Sequence, residues 1–369
     1  MARLWYTVVL FASLLLLLVF WSLHSASKTR TKFRSSAKVD ASVDYLKSFY
    51  WEAKLLNPTF SDKDTDASRI CSTILSSNRR IPYVFRTLAS LLYSSSQPDS
   101  PWIYATVVEV NDALITVFKP KHANLSVIQT GTRKSTSQTN KHEWFTQQRK
   151  DYAIALRACT YNKACKHCLI LENDALLATN AIATTRDALI RLSKEPKWGL
   201  LRLFGTDAFS GWERNTNDYA TLALFGALGA VVGLYLFPNY KRRWFILVYF
   251  SFGVVTPLLL GKQRTPFFGR GVGRGLVLAN ERKAVSSVAH VYPRHVALLL
   301  IDELQSSTAV LKHEPIDLVV GDVLSDAGLD FWEIVPNVVQ HIGDVSSYDG
   351  QSDRPLIESS TYIEDSSPM

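Results

Sequence analysis

Residues 169–177 read LILENDALL, a short apolar run that ends in two acidic side chains separated by one amide. An apolar run of this length is typical of a buried β-strand. Glu172 and Asp174 supply hard carboxylate oxygens at its end, and Mn²⁺ or Mg²⁺ prefers such ligands and can bridge them to a diphosphate. Alternatively, Asp174 caps a helix that begins at Ala175. Taken alone, the stretch fits a metal site and a helix cap equally well.

Strand and helix signals alternate around this stretch. Strands are predicted over 70–75, 102–110, 168–171 and 198–204, and helices over 83–93 and 143–158. Such alternation predicts an α/β fold with a doubly wound, mostly parallel sheet, in which ligands gather beyond the carboxyl ends of the strands.

Polar residues follow three of the predicted strands. They are Ser77, Asn78, Arg79 and Arg80 after the first strand, Asn111 and Asp112 after the second, and Glu172, Asn173 and Asp174 after the third. Because the carboxyl ends of parallel strands meet at one edge of a sheet, we expect these residues to line a single crevice.

Two uncharged apolar runs, 219–240 and 244–261, are divided only by Lys241-Arg242-Arg243. Each run is about long enough to cross a thin bilayer at 1.5 Å of rise per residue, and the cationic linker must stay outside the hydrocarbon. The pattern predicts a transmembrane hairpin, which returns the chain to its starting side so that 67–218 and 262–347 form one body. The alternative is a pair of buried helices in a large soluble core.

A third apolar run, 4–23, follows Arg3 and predicts an uncleaved signal anchor, although Ser25-Ala26-Ser27 weakly offers a cleavage site. The predicted organisation is a cytosolic tail at 1–3, the anchor at 4–23, a stem at 24–66, a first catalytic half at 67–218, the hairpin at 219–261, a second half at 262–347 and an acidic disordered tail at 348–369. Removing the spans leaves enough chain for one large domain.

The chain has 369 residues and a formal net charge of +8. Its lysines and arginines are scattered, with the densest groups beside the apolar runs. This distribution argues against nucleic acid and favours anionic headgroups or nucleotide phosphates as partners.

Four cysteines are present, and three of them, Cys159, Cys165 and Cys168, lie close together. Their spacing matches no paired zinc knuckle, whereas an even count permits two disulfides in an oxidising compartment. The sequence does not determine the pairing.

Residues 71–111 and 151–175 resemble the nucleotide-sugar half of GT-A glycosyltransferases, in which a hydrophobic strand ends in a D-x-D-type motif. More narrowly, the chain resembles the post-GPI-attachment to proteins factor 4 family. The features that carry this resemblance are the N-terminal anchor, the acidic motif, the hairpin, and the late stretch PNVVQHIG at 336–343 with Ser346 and Ser347 after it. The resemblance covers most of 67–347, and the hairpin is its most specific element.

The resemblance implies a metal-dependent, inverting glycosyltransferase in the Golgi membrane, multi-pass, with a lumenal catalytic domain. It further implies transfer of N-acetylgalactosamine from UDP-GalNAc to the mannose of GPI anchors, with Mn²⁺ or Mg²⁺ as cofactor and a GPI-anchored protein or GPI glycolipid as acceptor. Two alternatives remain: a non-catalytic membrane protein of this fold that binds GPI or lipid, and a GlcNAc-transferase acting on N-glycans.

The resemblance also implies residue roles. Asp174 and His341 would hold the metal, with Glu172 acting directly, through water or on the ribose. The crevice residues Ser77–Arg80, Asn111, Asp112, Glu172 and Asn173 would bind the UDP-sugar. Asp317 is the candidate base and Asp322 the alternate, although Asp317 taken alone fits equally well as a helix N-terminal acid. Asn173 departs from the Glu-Asp-Asp usual in the family.

Overall fold

A computed structural model of the chain describes residues 69–76, 83–97, 103–109, 125–129, 141–205, 216–236, 242–260, 275–279, 286–306 and 314–343. Ten strands lie within these ranges: β1 Ile70–Ser76, β2 Ile103–Glu109, β3 Leu125–Gln129, β4 His167–Glu172, β5 Ala175–Leu177, β6 Trp198–Arg202, β7 Gly275–Leu278, β8 Ala289–Pro293, β9 Asp330–Val335 and β10 Val339–His341. Eight of them form one sheet in the order β3-β2-β1-β4-β8-β6-β9-β7, and β5 pairs with β10.

The large sheet is mixed but mostly parallel. Strand β1 pairs in parallel with β2 and β4, β2 with β3, and β6 with β9. Strands β8 and β7 run the other way, β8 between β4 and β6 and β7 beside β9. The six parallel strands therefore end at the same edge, and the predicted α/β sheet is confirmed.

Seven helices lie in the described ranges: α1 Val84–Ser95, α2 Lys141–Tyr161, α3 Ala181–Leu192, α4 Thr216–Leu236, α5 Arg242–Leu260, α6 Arg294–Gln305 and α7 Ile316–Asp326. Alternate side chains of β4 explain why helices cover both faces of the sheet. Leu169 and Leu171 are buried with apolar residues of α1 and α3, whereas Cys168 and Ile170 are buried with those of α2, α6 and α7. The doubly wound arrangement is thereby confirmed.

The two apolar runs on either side of Lys241-Arg242-Arg243 form α4 and α5, which pack against each other. Close approach of the two helices requires glycine at Gly229 and Gly253, because a Cβ on either would collide with a backbone oxygen of the other helix. Outward-facing apolar side chains are exposed, among them Val231 at 62% and Leu247 at 57%.

Within the described ranges, none of the helices combines the length and the apolar character that a membrane crossing requires. This finding does not support the crossings predicted for 219–240 and 244–261.

The four cysteines meet where β1 and β4 begin. Cys71 and Cys165 form a disulfide across a sequence separation of 94 residues. Cys159 and Cys168 are buried free thiols, and Cys159 Sγ donates a hydrogen bond to the carbonyl oxygen of Cys71 at 3.1 Å. One of the two bridges that the even count permits is therefore formed, and the cluster ties α2 to the sheet.

Several predictions concern residues outside the described ranges. They are the anchor at 4–23, the stem, the acidic tail at 348–369, and the crevice residues Ser77, Asn78, Arg79, Arg80, Asn111 and Asp112.

Candidate metal centre

The chain passes from β4 directly into the short strand β5 through Asn173 and Asp174. Asp174 is fully buried and Asn173 is 2% exposed. Because residues Ala175–Leu177 form a strand, Asp174 caps no helix there, and the helix-cap alternative is wrong.

Pairing of β5 with β10 brings a histidine to this turn. In the antiparallel register Ala175 lies opposite His341, and the amide of Ile342 donates to the carbonyl oxygen of Asp174 at 2.9 Å. The imidazole Nε2 of His341 consequently lies 2.8 Å from Oδ2 of Asp174, and its side chain is 10% exposed. Two residues far apart in the sequence are thus placed in direct contact by a strand of three residues.

Glu172, Asp174 and His341 form a compact group of ligand atoms. One atom from each residue lies within 4.8 Å of the other two. Two carboxylate oxygens and one imidazole nitrogen suit a divalent ion such as Mn²⁺, which accepts hard oxygen ligands together with histidine. The three residues that the sequence analysis assigned to a metal therefore do lie together.

Glu172 ends β4 and is half-buried. The hydroxyl of Ser287, just ahead of β8, donates a hydrogen bond to Oε1 of Glu172. The amide of Glu172 donates to the carbonyl oxygen of Val288 at 2.9 Å. The Ser287 contact holds the carboxylate and the Val288 contact holds the backbone of Glu172 at the sheet edge. Ser287 was not predicted because no local motif surrounds it.

Helix α1 supports the turn from the other side. The Thr87 hydroxyl donates to the carbonyl oxygen of Asn173 at 2.7 Å, and the amide of Leu177 donates to the Ser90 hydroxyl at 3.1 Å. These contacts leave the backbone at Asn173 little freedom. Asn173 therefore has a structural role through its main chain, whatever its amide side chain contributes.

The two candidate bases lie at different depths along α7. A short turn joins the end of this helix to the start of β9, so the helix runs antiparallel to that strand. Its first turn, with Asp317, therefore lies at the carboxyl edge of the parallel strands. The amide of Ile316 approaches Oε1 of Gln148 on α2 at 3.5 Å. Asp322 lies five residues further along, about 7.5 Å from Asp317 along the helix axis at 1.5 Å per residue. The placement favours Asp317 over Asp322.

Burial raises the pKa of the Asp317 carboxyl, and hydrogen bonds from the backbone amides of Leu318 and Asp317 partly oppose the shift. The buried hydroxyl of Tyr152 on α2 has a raised pKa chiefly because of burial and its neighbour Tyr292, with smaller contributions from the charges of Glu172 and Asp317. Glu172 continues the alternation of Cys168 and Ile170 along β4, so it lies on the side of the sheet that α2 and α7 cover.

Below this edge lies a buried polar cluster of Tyr152, Tyr292 and His290. The hydroxyls of Tyr152 and Tyr292 are 2.8 Å apart, and Nδ1 of His290 lies 2.9 Å from that of Tyr292. Burial, reinforced by the charge of Arg202, lowers the pKa of His290 to about 3. The imidazole is therefore neutral at physiological pH and serves as an uncharged hydrogen-bonding group.

Comparison with known proteins gives little further information. No protein-family model and no curated protein matches the sequence. Among solved structures, the chain is similar to the mannosyltransferase PcManGT from Pyrobaculum calidifontis, solved in complex with GDP-Man and Mn²⁺. The identity is 14%, the TM-score is 0.35, and the match covers 82% of this chain and 65% of that protein. The match therefore spans slightly less than two thirds of that protein's length.

Proposed function

We propose that this protein is a metal-dependent glycosyltransferase that uses a nucleoside-diphosphate sugar as donor. The observation that carries the proposal is the group formed by Glu172, Asp174 and His341, whose ligand atoms lie within 4.8 Å of one another. It lies beyond the end of β4, at the edge where ligands of α/β proteins bind. A buried acid at a sheet edge with a histidine beside it is suited to hold a divalent ion against a diphosphate.

The chain's own groups have separate roles in this proposal. Glu172, Asp174 and His341 would hold a divalent ion, which supplies charge neutralisation to a departing nucleoside diphosphate. Asp317, whose pKa is raised by burial, would accept the proton of an acceptor hydroxyl as that hydroxyl attacks the anomeric carbon. A single displacement of this kind inverts the anomeric centre.

We further propose UDP-GalNAc as donor and the mannose of a GPI anchor as acceptor. The support is the resemblance of the acidic motif, the hairpin and PNVVQHIG at 336–343 to the post-GPI-attachment to proteins factor 4 family. Selection among UDP-GalNAc, UDP-GlcNAc and UDP-galactose depends on a few pocket contacts. One rival is an N-glycan GlcNAc-transferase. The other is a non-catalytic GPI- or lipid-binding protein, and the departure at Asn173 favours this second rival.

Binding and turnover measurements test the proposal together. With the purified protein, Mn²⁺ followed by UDP should raise the unfolding temperature, because a ligand that binds only the folded state stabilises it by mass action. A panel of UDP-sugars with a GPI-mannose acceptor should then show transfer from one donor. Stabilisation without transfer from any donor would favour the non-catalytic rival, and no response to Mn²⁺ and UDP would refute a metal-dependent transferase.

We also propose that the protein resides at the Golgi membrane with the sheet domain on the lumenal side and that the exposed apolar surface of α4 and α5 contacts the bilayer. Apolar patches of this kind are typical of membrane or protein contacts. A purified variant lacking residues 1–27 should bind liposomes, and replacing Val231 and Leu247 by aspartate should abolish that binding, as co-sedimentation would show. Failure of the shortened but otherwise native chain to bind liposomes would contradict the membrane contact.

A further inference from the structure

The segment that carries His341 crosses between two parts of the molecule. On one side, the amides of Val338 and Val339 both donate to the carbonyl oxygen of Leu203, just past β6, at 3.2 and 3.3 Å. On the other side, the amide of Ala178 donates to the carbonyl oxygen of Val338 at 2.9 Å, and β10 pairs with β5. The position of the imidazole therefore depends on how this segment is held against the large sheet.

The side chain of Asn337 makes a two-point contact at the start of this segment. Its Nδ2 donates to the carbonyl oxygen of Gly205 at 2.8 Å, and its Oδ1 accepts from the amide of Gly205 at 3.2 Å. Asn337 is 3% exposed, so water does not compete for these bonds. A planar amide bound at both ends fixes orientation as well as distance.

We propose that Asn337 is a positioning residue for His341, and through it for the metal centre described above. The inference rests on that proposed centre. The bonds to Leu203 and the pairing of β10 with β5 hold the middle and the end of this segment. The two bonds between Asn337 and Gly205 fix its start against the chain that follows β6, and together these contacts orient the extended chain that ends at His341.

The contact between Asn337 and Gly205 matters because the metal group requires precise placement of the His341 imidazole. Nε2 of His341 lies 2.8 Å from Oδ2 of Asp174. Residues that hold a metal ligand in place typically affect metal affinity about 10- to 100-fold when they are replaced. Asn337 lies four positions before His341 in the chain, and it acts on geometry without touching the ion.

The experiment compares Mn²⁺ binding by N337A, H341A and the wild-type protein without any donor present. The electron paramagnetic resonance signal of free Mn²⁺ measures affinity, and electron spin echo modulation detects coupling of bound Mn²⁺ to an imidazole nitrogen. We expect N337A to bind Mn²⁺ about 10- to 100-fold more weakly and to lose nitrogen coupling, as H341A does. N180A is the matched control, since Asn180 is exposed and makes no side-chain capping bond, and it should behave as the wild type.

The outcomes separate this inference from the proposed function. A folded N337A with wild-type affinity and nitrogen coupling would overturn the positioning role while leaving the metal centre intact. Wild-type protein that binds no Mn²⁺ would overturn the metal centre and this inference with it. If N337A does not fold, N337S decides by the same two readouts, because serine adds no buried charge and its single hydroxyl cannot make both bonds to Gly205.

Discussion

D174N should abolish sugar transfer while leaving the protein folded. Asp174 contributes an oxygen to the metal group and is fully buried beside His341. Asparagine matches its volume but removes the charge that binds a divalent ion. Loss of several kcal/mol of charge stabilisation corresponds to about a thousandfold or greater fall in rate. The measurement is the initial rate with saturating Mn²⁺ and UDP-sugar, accompanied by the thermal shift produced by Mn²⁺.

The folded state of D174N must be checked separately, because Asp174 also contacts Nε2 of His341 at 2.8 Å. Asparagine keeps a polar atom at that position, so D174N should retain the wild-type circular dichroism spectrum and a cooperative thermal transition. D302N, which changes an exposed aspartate on α6, is the matched control and should keep full activity. Unchanged transfer by D174N would remove Asp174 from the metal centre.

Local sequence pattern was sufficient for the elements that lie in continuous apolar runs or that bury one stripe of a helix. Strand β4, helix α2 and the pair α4 and α5 were all predicted within a few residues of their observed bounds. Their signals are local, because burial on both faces of a central strand and on one stripe of a helix leaves a direct trace in the order of residues.

Strands β8 and β9 were not predicted. Residues Ala289–Pro293 include His290 and Tyr292, whose polar atoms are satisfied in the buried cluster with Tyr152, so the strand does not read as an apolar run. Strand β9 likewise buries Glu333, which is 8% exposed. Tertiary hydrogen bonding overrode the local signal in β8, and burial of a charged residue did so in β9.

The three residues of the metal group were predicted from the sequence, but the way they come together is seen only in the structure. Glu172 and Asp174 are adjacent to the same strand end, so their proximity is local. His341 joins them only because β10, three residues long, pairs with β5, and a strand that short leaves no reliable pattern. The supporting contacts of Ser287 and Asn337 are equally long-range, and neither residue type signals its partner.

D317N should lower kcat/KM by about 10²- to 10⁴-fold, the usual contribution of a general base. Only the carboxylate form can accept the acceptor proton, and burial raises the pKa of Asp317. The wild-type rate should therefore fall with decreasing pH through a pKa above that of an exposed aspartate. In D317N this acid limb should disappear from the residual rate, as a pH profile of kcat/KM would show.

The folding stability of D317N should rise even though its activity falls. A carboxyl whose pKa is higher in the folded than in the unfolded chain binds its proton more tightly when folded, so its contribution to stability is lost as pH rises through the folded pKa. D317N cannot ionise, and it should become more stable than the wild type as pH rises through that window.

D322N is the matched control for the base, because Asp322 lies on the same helix but further from the sheet edge. It should retain wild-type activity and the wild-type pH profile. If D322N loses the acid limb while D317N keeps it, the base is Asp322, and the depth argument along α7 is wrong. A large loss of activity and a gain of stability in the same D317N protein would separate a catalytic base from an aspartate that only begins a helix, since a helix-terminal aspartate contributes stability instead of costing it.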